Sequence, residues 1–69
     1  MTQKELAYFE DAIGHEGNII KILEDTKNKL EDERLVTFIE NELNVHTNMK
    51  KKLMTALEGK NNEWSITNG

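Results

Sequence analysis

The sequence predicts an all-α fold, a two-helix antiparallel hairpin that dimerises into a four-helix bundle. Three observations carry this. Between Glu33 and Leu57 the apolar side chains gather on one broad face when plotted at about 100° per residue. Between Gln3 and Leu30 they form two adjoining stripes. The acidic break at Glu31 and Asp32 leaves a connection of roughly two to four residues, and so short a link returns the second helix antiparallel to the first.

Composition narrows the class. A chain of 69 residues with no Pro, four Gly and 32% charged residues has room for one small helical core. Chains of this size usually need a metal or oligomerisation to be stable. The absence of Cys excludes a disulfide framework or thiolate site and fits a reducing compartment. No apolar run is long enough to span a bilayer, and the opening Met-Thr-Gln-Lys-Glu lacks the apolar stretch of a secretory signal. The expectation is a soluble, cytoplasmic protein without a membrane partner. A net charge of −4 argues against nucleic acid, which needs clustered Lys and Arg. The basic run Lys50, Lys51 and Lys52 points in directions about 100° apart on a helix and reads as a solvated face.

The first helix is expected over residues 3–30. Thr2 followed by Glu5 matches a capping box, in which hydroxyl and carboxylate satisfy free amides of the first turn. Leu6, Phe9, Ile13, Ile20, Leu23 and Leu30 make one apolar stripe, and Tyr8, Ala12, Ile19 and Ile22 the other. Together they cover about 200° of arc, more than one partner helix can bury. Gly14 and Gly17 each weaken the helix by roughly 1 kcal/mol relative to Ala. Gly17 borders the apolar arc, where it would let another backbone approach; Gly14 points to solvent.

The second helix is expected over residues 33–58. Asp32 is its N-cap, with Glu33 in the first turn where the helix dipole favours a negative charge. Leu35, Ile39, Met49, Leu53 and Leu57 run down the middle of its apolar face. Gly59 is placed as a left-handed C′ residue. Residues 1–59 thus form the hairpin, and 60–69 a polar C-terminal tail whose Trp64 and Ile66 either dock or fray.

Two such helices, each about 40 Å long, cannot cover each other's apolar faces. A twofold homodimer buries both spare faces at once; a different protein would be the other way to cover them.

Polar residues interrupt the apolar face at one level. Glu42 and His46, one turn apart, sit on the centre line of helix 2, and Glu16 occupies a core slot of helix 1. With the turn centred near Glu31 and Asp32, antiparallel partners have residue numbers adding to about 63, which places Glu16 opposite His46. Doubled in a dimer, this set supplies four carboxylates and two imidazoles, the donor inventory of di-iron and di-manganese bundles, although those space Glu and His three residues apart and not four. Carboxylate and imidazole suit iron, manganese or zinc. Two readings are open: Glu16, Glu42 and His46 as metal ligands, or Glu16 and His46 as a hydrogen-bonded pair that sets register, with no cofactor. Asp11 and His15 repeat the spacing off the central line and read as a surface pair.

The run LAYFEDAIGHEGNIIKILED, the Asp32-led turn and the single His46 within FIENELNVHTNMKKKLMTAL resemble the small ferritin-like, spore coat F-like helical-hairpin proteins of Gram-positive spore formers. The resemblance covers most of residues 4–58. It implies a helical bundle associated with the spore or its coat, and it carries over His15, Glu16 and His46 as motif positions without an assigned chemistry.

No nucleophile set, phosphate-cradling glycine loop or dinucleotide fingerprint is present, so no enzyme is expected. The function expected is a small structural or protein-interaction module acting as a dimeric bundle. The alternative is a ferritin-like metal-binding bundle with its Glu/His site in the dimer core.

Overall fold

The computed structural model describes the backbone of residues 1–68 and the side chains of residues 1–59. Two helices, α1 (Gln3–Lys29) and α2 (Glu33–Asn68), form an antiparallel hairpin, with no strand among the described residues.

Local chemistry explains where each helix starts. The Thr2 hydroxyl accepts from the Glu5 N–H at 3.1 Å, while the Thr2 N–H donates to Glu5 Oε1 at 2.7 Å, so the predicted capping box is complete. At the other end of α1, Leu30 turns extended and its N–H closes on the Lys27 carbonyl at 3.2 Å. Lys27 and Lys29 lie in that last turn, where the dipole favours positive charge. Asp32 caps α2 as expected, its Oδ1 accepting from the Arg34 N–H at 2.9 Å and its carbonyl from the Val36 N–H at 3.0 Å.

The end of α2 differs from expectation. The helix does not stop near Glu58 but continues to Asn68, and no glycine among the described residues takes a positive φ, so Gly59 is not a left-handed cap. Glycine inside a helix costs only about 1 kcal/mol, and with no Pro in the chain nothing local compels a break. The docking or fraying of Trp64 and Ile66 concerns side chains outside the described residues.

The helices meet along residues spaced alternately three and four apart, the signature of a coiled-coil seam. In α1 these are Leu6, Phe9, Ile13, Glu16, Ile20, Leu23 and Lys27; in α2 they are Val36, Ile39, Leu43, His46, Lys50, Leu53 and Leu57, all half-buried. The expectation that Leu35 and Met49 lie on the centre line is corrected, because both are about half exposed. A straight-helix projection drifts by about 20° per heptad relative to a seam of period 3.5. Averaged over the long helix, its centre falls between the seam and a neighbouring stripe.

That neighbouring stripe stays open. Tyr8, Ile22 and Phe38 remain 67%, 62% and 59% exposed, and Leu35, Val45 and Met49 accompany them. In both helices the stripe includes the residue just before a seam position: Ala12 and Ile19 in α1, Leu35 and Met49 in α2. The stripes therefore turn the same way from the seam relative to chain direction. Because the chains run oppositely, both stripes land on the same side of the hairpin. The reverse side carries Glu10, Lys21, Glu24, Glu40, Asn44, Thr47 and Lys51, with Met54 as its exposed apolar exception. The Cα trace measures 54 × 16 × 11 Å, a single layer, and no described side chain is fully buried.

Candidate functional site

The polar interruption of the seam forms from both helices. Glu16 follows Ile13 by three residues and precedes Ile20 by four, so the spacing that buries those two isoleucines also turns its carboxylate toward α2. His46 holds the corresponding slot between Leu43 and Lys50. The two side chains meet at 2.6 Å, Glu16 Oε2 to His46 Nδ1, as the antiparallel register predicted. Glu16 keeps 12% of its side chain exposed and His46 22%, so the bond is shielded without being sealed.

An ionised carboxylate only accepts hydrogen bonds, so Nδ1 carries the proton and donates. This orients the ring and turns Nε2 toward Glu42, whose Oε2 lies 3.8 Å away and whose side chain is 40% exposed. That distance is beyond a hydrogen bond. Glu16 and Glu42 thus address opposite nitrogens of one imidazole.

The two ring nitrogens point in divergent directions, so the three predicted ligands do not converge on a single cation position within the hairpin. Among the described residues, no group of three or more His, Asp or Glu side chains is arranged to hold a metal ion. The arrangement fits a short, charge-assisted hydrogen bond joining the helices at one level. Asp11 and His15 lie exposed, and no ion pair joins them among the described residues.

Lysines complete the seam, and for Lys50 the sequence had indicated a solvated face. Lys50 is half-buried, and a methyl group added at Gly17 would meet its Nζ at 3.6 Å, an ordinary contact. Gly17 therefore faces the end of a lysine and not a second backbone. Lys27, at the turn end of the seam, pairs with Glu40 at 3.2 Å. The three-four spacing His46, Lys50, Leu53 held this information.

Among the described residues no helix is long and apolar enough to cross a membrane. No family model, curated protein or solved structure matches the chain.

Proposed function

We propose that this chain is a small structural and protein-interaction module that works as a homodimer, two hairpins closing a four-helix bundle through their apolar faces. The observation that carries the reading is the open stripe, contributed by both helices to one side of a single-layer hairpin. Domains ordinarily need two layers to enclose a core. Covering the six large side chains Tyr8, Ile22, Leu35, Phe38, Val45 and Met49, each already partly shielded, is worth about 1 kcal/mol apiece. A second copy supplies an equal and equally apolar face, and an isologous contact satisfies both copies at once.

In this reading the Glu16–His46 bond is a register device. A polar pair in an apolar seam penalises any slip of α1 against α2, since a slip would leave both groups unpaired. The module has no catalytic role. Light scattering coupled to size exclusion tests the assembly: the expected mass is twice 8.0 kDa. A monodisperse monomer that stays folded on dilution would overturn it.

A further inference from the structure

The open face also carries charges, and their placement decides how two copies sit. Two twofold arrangements bring the faces together. In one, both turns lie at the same end and α1 rests on α2 of the other copy. In the other, the turns lie at opposite ends, and each helix rests antiparallel on its own counterpart. We propose that the protein adopts the second arrangement, with Glu42 of each copy against Lys52 of the other. This rests on the dimer reading above and adds its geometry.

Charge and size both support it. Glu42 and Lys52 lie on the open face, five residues to either side of Thr47. An antiparallel α2–α2 contact across the open face, with its twofold axis at the height of Thr47, therefore sets each carboxylate level with an ammonium of the second copy. Phe38 and Ala56 lie nine residues to either side of the same point, so the largest side chain of the α2 stripe meets its smallest.

The same-end arrangement uses the same surface badly. With the register of the hairpin retained, it places Glu42 between Ile19 and Ile22 and Lys52 between Tyr8 and Ala12, which desolvates charges without partners. Moving the opposite-end contact by one heptad has a similar effect, setting Glu42 against Val45.

Spin-label distances distinguish these cases, and the absence of Cys makes a single thiol label specific. With Glu31→Cys carrying a nitroxide, the opposite-end dimer is expected to show an intermolecular distance of about 48 Å, since the turn residue Glu31 lies 16 residues before Thr47, nearly all of them helical at 1.5 Å per residue. A distance of roughly 10–20 Å, one layer spacing, would overturn the arrangement while leaving the dimer intact. A monomer with no intermolecular distance would overturn both. As a second readout, Glu42→Lys and Lys52→Glu should each weaken self-association by about tenfold or more, and mixing the two variants should restore it, because each mixed dimer regains opposite charges at both sites. Failure of the mixture to associate better than either variant alone would overturn the pairing.

Discussion

His46 shows how one residue links register to stability. Its Nδ1 is committed to Glu16 at 2.6 Å while its Nε2 faces Glu42 at 3.8 Å, so removing Glu16 leaves the ring half-buried without its partner. Glu16→Leu or His46→Leu alone should cost about 1–2 kcal/mol in denaturant unfolding, less than for a fully buried pair because both groups retain some solvent. The double change to Leu should be neutral or stabilising, and a double-mutant cycle isolates the coupling. Micromolar iron, manganese or zinc should leave the melting curve in place. A rise in melting temperature by mass action would instead establish a cation at this level of the core. Gly14 offers a test of a different kind: a methyl group there meets nothing within 4 Å, and its φ is not positive. Gly14→Ala should therefore stabilise α1 by about 0.5–1 kcal/mol, read as a rise in the unfolding midpoint.

At the scale of the helix, the caps matter because no described side chain of α1 or α2 is fully withdrawn from water, so both depend on their own ends more than core helices do. Asp32→Ala should cost about 1 kcal/mol through the lost bond to the Arg34 N–H, whereas an unchanged midpoint would separate this cap from the stability of α2. The same logic shows what was legible beforehand. Thr2 and Glu5, Asp32, and the facing of Glu16 and His46 could be read because each depends on local spacing or on register counted from one turn. Lys50 in the seam and Leu35 outside it could not, because a straight projection blurs a seam of period 3.5 over so many turns. Gly59 misled for another reason: glycine permits a left-handed cap without requiring one, and the helix passes through it.

On the scale of the whole molecule, a layer 11 Å thick has an inside only when something lies against it. In the proposed dimer folding and association are one equilibrium, and the melting temperature should rise with protein concentration. A surface substitution separates this from a self-sufficient hairpin. Phe38 is 59% exposed and its neighbour Thr37 lies on the opposite, polar side, while both sit in the first two turns of α2. The helix dipole therefore acts similarly on an acid at either position. In a monomeric hairpin, Phe38→Asp and Thr37→Asp would each fall within about 0.5 kcal/mol of the parent, as exposed substitutions generally do. In the dimer, Phe38→Asp carries a charge into the contact between copies, so it should abolish association and lower the melting temperature, with Thr37→Asp unchanged. Equal behaviour of the two variants in light scattering and thermal unfolding would show that the stripe is not the contact surface.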